Sequence, residues 1–271
     1  MALRNPGRGP GGAGEPNLAL MTSACIGNVA RVITGPRRGA RGIVTGKHAG
    51  GNHVLVDFDT RTLCNLNIGD RVQIYSRGLG LDCLDYPDIA VRNCCPGLLR
   101  RWNQTPRGST LEVRVTHVVP AAILGSGLGA NAASRGDVDI ELLDPVVRRR
   151  FDLAALRFGD LVCVRDADSR FGFSWSKGRV SIGVIAHSDS TVSGHGPGVA
   201  ALLTGPASRF RPVFDRKANI AALFNRRSLA TSYHRTPIAG RASTGLRTQP
   251  QTPAAWSLDD PKRVDYRLSH S

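Results

Sequence analysis

Gly27-Asn28-Val29-Ala30-Arg31-Val32-Ile33-Thr34-Gly35-Pro36-Arg37-Arg38-Gly39-Ala40-Arg41-Gly42-Ile43-Val44 reads as two strands meeting at a turn. Gly35, Gly39 and Gly42 can take backbone angles closed to other residues, which a tight reversal needs. Working outward, His53-Val54-Leu55-Val56-Asp57-Phe58 alternates, with Val54, Val56 and Phe58 on one face. Arg71-Val72-Gln73-Ile74-Tyr75 repeats the scheme after a Gly69-Asp70 turn. Four or so strands within about 50 residues predict a small barrel over residues 25–77.

Ahead of it, residues 1–24 hold Asn5-Pro6-Gly7-Arg8-Gly9-Pro10-Gly11-Gly12 and are expected to form a flexible leader. Behind it, residues 78–108 are rich in Gly and Pro and form a connector, with one short helix at Pro96 to Trp102, since proline suits a first helical turn. A second β-barrel is expected over residues 109–204. Leu111, Val113, Val115, His117 and Val119 share a face there, and Asp137-Val138-Asp139-Ile140-Glu141-Leu142 alternates acid and aliphatic as a half-buried strand does. Phe158-Gly159-Asp160-Leu161-Val162 echoes Ile68-Gly69-Asp70-Arg71-Val72, so both barrels follow one local rule. The last clear strand is Val180 to His187. From residue 205 periodicity fades, and 205–271 are expected to be a basic, largely disordered tail. The fold class is therefore mainly β, two small barrels with little helix.

The 271 residues carry 36 basic and 21 acidic side chains, with 31 Gly and 16 Pro, which disfavours helical bundles and coiled coils. The tail holds 12 basic against 4 acidic residues, so much of the positive excess lies outside the expected barrels. No apolar run is long enough to cross a membrane and no signal-peptide pattern opens the chain, so no membrane association and a cytoplasmic location are expected. Cys25, Cys64, Cys83, Cys94, Cys95 and Cys163 make no C-x-x-C pair and are read as reduced thiols.

The 27–44 stretch resembles the KOW motif of ribosomal proteins and of a transcription elongation factor. That resemblance implies an SH3-like barrel and an RNA-contacting loop in which Arg37, Arg38 and Arg41 meet phosphate. A wider resemblance covers about residues 16–205. Ala24-Cys25-Ile26-Gly27-Asn28-Val29, Val44 to Phe58, Gly78-Leu79-Gly80-Leu81, Asp85-Tyr86-Pro87-Asp88, Gly125-Ser126-Gly127-Leu128-Gly129, Leu156 to Asp160, and His187-Ser188-Asp189 with Gly194-His195-Gly196-Pro197-Gly198-Val199 look like an uncharacterised bacterial and archaeal family, domain of unknown function 4438. It implies a mostly β protein and no established activity. Family members usually carry a further N-terminal segment, Asn52 stands where an acid is usual, and the tail after Gly205 is unfamiliar; if the missing segment contributes to the site, an incomplete or inactive version is expected.

Two clusters could carry chemistry. Lys47, His48, His53, Asp57 and Asp59 flank the Gly50-Gly51 loop, so His48 and His53 can face each other across a hairpin and, with Asp57, hold a divalent metal that activates water. Asp166, Asp168, His187, Asp189 and His195 form the second. His195 sits in a Gly194-to-Gly198 turn whose glycines, Gly194 and Gly196 among them, let a ligand come close, and Asp189 could orient one imidazole of an acid and base pair. A solvated loop mouth and a chain-reversing turn explain the same residues structurally. His117 reads as an interior residue; Gly125 to Gly129 could present backbone donors to an anion, a weak signal because no Walker lysine follows and no helix is evident. The protein is expected to bind a small polar ligand or metal at the barrel junction, through Lys47, His48, His53, Asp166, Asp168, Gly194 and Gly196, with hydrolytic or acid/base chemistry at His187, Asp189 and His195. RNA binding through the three arginines, and an assembly role without a site, are the alternatives.

Overall fold

The computed structural model describes residues 1–9 and 12–225. The expected tail beyond 225 lies outside the described residues.

A five-stranded antiparallel sheet runs in the spatial order Ala2–Leu3, His53–Asp57, Arg41–His48, Val29–Val32, Val72–Ile74. Alternation does here what the sequence predicts: Val54, Val56 and Phe58 are all buried, with Ala30, Val32 and Val44. The expected leader contributes to this unit, because Ala2 and Leu3 pair with Leu55 and Val54 and the helix Glu15–Ser23 buries Met21 beneath the sheet.

Behind it stands a larger mixed sheet in the order His117–Pro120, Leu161–Asp168, Ser174–Ile185, Gly198–Pro206, Val138–Asp139, with Ala90–Val91 also paired to Gly198–Pro206. Its central strands are covered on both faces. Leu161, Cys163, Ile182 and Leu202 enter one core, whereas Val162, Val164, Val199 and Ala201 enter another, which is why these segments read as nearly continuous apolar runs. A third sheet joins Thr105–Arg107, Thr110–Val115 and Phe210–Phe214. The helix Pro96–Trp102 staples it: Trp102 is 1% exposed and its indole donates to the Arg114 carbonyl at 2.8 Å.

The sheets are not closed into barrels. In the first, the edge strands have two and three residues, too short to reach each other with the tilt and stagger that closure demands. In the large sheet the edge strands His117–Pro120 and Val138–Asp139 do not pair with each other; a Leu124 to Ile140 bridge links the segments beside them. Two further expectations change. The face shared by Leu111 to Val119 breaks at Thr116, where the chain passes from the third sheet to the large one; His117 is accordingly half-buried at a cleft and not interior. Residues 206–225 are folded, because Phe210 to Phe214 pair in parallel with Leu111 to Val115 and helix Ile220–Leu223 buries Ile220; the strand partners lie 99 residues upstream, beyond the reach of local periodicity.

Candidate metal centre at the junction of the sheets

The strand Gly198–Pro206 lies between two neighbours whose ends carry the site. Ile185 pairs with Val199, so His187 emerges just past the end of one neighbour; Asp139 pairs with Gly198 on the other side, and Asp137 shares its face. His187 Nε2 then stands 2.5 Å from Asp137 Oδ2 and 3.4 Å from Asp139 Oδ1. Gly198 makes this possible: a Cβ there would overlap both Asp137 Oδ2 and His187 Nε2.

The other atoms of these groups are already used. Asp137 Oδ1 accepts the Ala49 amide at 2.9 Å, and Asp139 Oδ2 accepts the Gly196 amide at 3.3 Å. His187 Nδ1 faces the Ser188 carbonyl at 3.1 Å. A carbonyl can only accept, so the neutral ring carries its proton on Nδ1 and turns a bare lone pair at Nε2 toward two carboxylates. With the ring neutral, Asp137 Oδ2 and His187 Nε2 have no hydrogen-bond partner; with the ring protonated they form a close ion pair. Asp137 and Asp139 are 4% and 7% exposed, so their charges have little water to lean on. Burial disfavours charge on His187, but the Asp137 and Asp139 carboxylates outweigh it and raise its pKa to about 10. Even a protonated His187 leaves two buried carboxylates facing one positive charge. One ligand atom from each of the three residues lies within 4.8 Å of the others, a set suited to a divalent cation.

Around this core the structure gathers further imidazoles. His195 Nδ1 is 3.3 Å from Asp139 Oδ2, with the side chain half exposed. The His48 ring packs edge-on against His187 with centroids 4.6 Å apart. His48 is in register with His53, and both rings lie against Gly51. The turn carrying His195 is tied down by its glycines: the Gly194 amide donates to Glu141 Oε2, and a Cβ at Gly196 would overlap the Ile140 carbonyl. Gly125 to Gly129 brace that turn and do not form an anion cradle, since the Gly125 and Ser126 amides donate to Asp139 and Gly194 carbonyls.

Other candidates stand apart. Asp57 is at the opposite end of the hairpin from His48 and His53, in register with Ile43, so the three cannot share an ion. Asp189 accepts its own neighbour's amide, that of Ser190, and the orienting carboxylate for His195 is Asp139. Asp168 pairs with Ser174, at the far end of a 12-residue strand from Ile185. Burial raises its pKa, but Arg170 and Arg179, at 2.8 and 3.0 Å, hold it below the usual value. Asp166, at a bulge with φ 58°, accepts the Gly178 amide. Lys47 is fully buried, donating to Asn93 Oδ1 at 2.7 Å and the Ser134 carbonyl at 2.5 Å, and burial lowers its pKa to about 7. It is a cross-brace beside the site. Arg37, Arg38 and Arg41 occupy the other end of the strand Arg41–His48.

Asp137, Asp139 and Glu141 read in the sequence as the polar face of a half-buried strand, and that pattern is the same whether the face meets water or a buried histidine.

Residues 11–100 match the family model "Domain of unknown function (DUF4438), N-terminal", and residues 101–224 match "Domain of unknown function (DUF4438), C-terminal". The chain belongs to the DUF4438 family. A solved structure titled "Crystal structure of TM1086" is similar at 40% identity and a TM-score of 0.73, covering 76% of this chain and 72% of that one. No curated protein matches. The family boundary gives the site a clear position: His48, His53 and the Ala49 amide come from the N-terminal part, and Asp137, Asp139, His187 and His195 from the C-terminal part. No helix among the described residues is long and apolar enough to cross a membrane.

Proposed function

We propose that this DUF4438 protein binds a divalent metal ion through Asp137, Asp139 and His187 and uses the centre to bind a small polar ligand for hydrolytic or acid/base chemistry. The observation that carries this is His187 Nε2 set 2.5 and 3.4 Å from the oxygens of two buried carboxylates, an excess of negative charge that one imidazole does not balance. A divalent cation would satisfy all three groups and balance their charge, and would lower the pKa of a bound water. His195 fits the role of proton carrier: Asp139 faces its Nδ1, and the half-exposed ring can exchange a proton at Nε2. His48 would limit the space beside His187. Six free thiols suit a reducing, cytoplasmic setting.

The test is metal content. Untagged protein stripped with chelator and titrated with Zn²⁺ or Mn²⁺ should take up one ion per chain, and Asp137→Asn and His187→Ala should each weaken uptake at least tenfold; His195→Ala should leave it within a few-fold. Full-strength uptake by both ligand variants, or none by wild type, would sink the assignment.

One observation favours a second reading. Exposed Arg31 and Arg41 lie directly opposite each other beside the hairpin tip that bears Arg38, an arrangement of like charges that an anion would relieve. Arg37 is partly engaged by the Thr62 hydroxyl at 3.2 Å. If this tip binds RNA, affinity should fall steeply with salt and with loss of Arg37, Arg38 and Arg41.

A further inference from the structure

The chain crosses from the third sheet to the large one at Thr116, and the two sheets diverge there. Between them opens a cavity of about 560 Å³, in the size range of small-molecule sites. Its walls are apolar: Val115 and Val118 from the crossing strands, Pro212 and Phe214 from the strand Phe210–Phe214, and Phe151 from the segment after helix Pro145–Arg150. None of its lining residues belongs to the Asp137, Asp139 and His187 group.

The rim carries charge of one prevailing sign. Arg157 is committed to Asp160 at 3.1 Å and to the Arg216 carbonyl at 2.8 Å. Arg150 and Arg216 make no ion pair among the described residues, and the Arg150 guanidinium lies 5.4 Å over the Phe151 ring, a cation held at an apolar edge. Among the described residues that line the cavity, Asp152 is the one acid outside an ion pair. His117, whose ring nitrogens meet the Thr116 hydroxyl and the Asp152 carbonyl, is kept neutral near pH 7 because burial lowers its pKa.

We propose that this cavity binds an amphipathic organic anion, with the apolar part against Val118, Phe151 and Phe214 and the carboxylate or similar head between Arg150 and Arg216. Two cations without carboxylate partners, at the lip of an apolar cleft, complement such a ligand in both shape and charge. The C-terminal residues 226–271 carry eight basic against three acidic side chains, the same sign as the rim, and are a poor match for it.

Calorimetric titration of the full chain with octanoate, octanol, octylamine and inorganic phosphate tests the assignment. Octanoate should bind more tightly than octylamine and phosphate. The double variant Arg150→Glu/Arg216→Glu changes exposed side chains and should keep the wild-type melting temperature; it should bind octanoate at least tenfold more weakly and octanol unchanged. Ala155→Trp, which fills the cleft from an exposed position, should weaken both. Phosphate binding as well as octanoate would reduce the rim to a simple anion patch and overturn the proposal. So would equal binding of octylamine, no octanoate binding, or a wild-type dimer in light scattering that Ala155→Trp dissociates, since the cavity would then be an interface between copies. Metal uptake should be unchanged in every variant.

Discussion

The central residue is His187, and its chemistry is set by a hydrogen bond on the side away from the site. The Ser188 carbonyl accepts a hydrogen bond from Nδ1–H, which turns Nε2 toward Asp137 and Asp139. Gly198 is the residue that permits the approach. Gly198→Ala should push the Asp137 and His187 tips apart and weaken metal binding at least tenfold, while unfolding stability changes by no more than about 2 kcal/mol, because the obstructed atoms are side-chain ends that can swing away. Isothermal titration with Zn²⁺ beside urea denaturation checks both halves. At this scale the sequence made His187, His195 and their glycine-bounded turn legible, because few residue types carry imidazole chemistry and few turns hold so many glycines. It did not expose Asp137 and Asp139 as ligands, since an acid on an alternating strand looks the same whether its face meets water or a buried histidine.

Among the elements, the strand Arg41–His48 does most to assemble the site, because it carries His48 and ends against the large sheet. Gly46 lies on Ala186 and Gly136 on Ala49, each too close for a side chain between them. Gly46→Ala should therefore destabilise the protein by about 1–3 kcal/mol through overpacking and loosen the centre. A lower urea midpoint accompanied by weaker metal affinity is the expected result, and an unchanged midpoint would show that the strand can retreat at no cost. Trp102→Ala, in contrast, removes a buried anchor of the third sheet far from the ligands. It should cost about 3–5 kcal/mol with metal affinity per folded chain unaltered. Strand positions and the Pro96–Trp102 helix were readable because their periods and proline are local. The break at Thr116 was not, because alternation continues through it while the hydrogen-bond partner changes from one sheet to another.

Over the whole molecule, Lys47 of the N-terminal family part reaches the C-terminal part through the Ser134 carbonyl. Burial lowers its pKa to about 7 from an ordinary 10.5, so between those values the unfolded chain holds a proton that the folded chain lacks. This group's contribution to stability therefore rises with pH from about 7 to 10.5. Urea denaturation at pH 7.5 and 9.5 should show wild type gaining on Lys47→Met as pH increases; a difference that stays constant would mean the ammonium remains charged in the fold. The alternation of apolar residues, the β class, the family and the histidine-bearing turns were determined by the sequence alone, because each depends on residues near one another in the chain. The open sheets, the pairing of Phe210 to Phe214 with a strand 99 positions earlier, and the meeting of Asp137 and Asp139 with His187 were decided only by tertiary structure. These depend on which strands pair, and pairing is chosen by the burial of whole faces, a property that no short window of sequence contains.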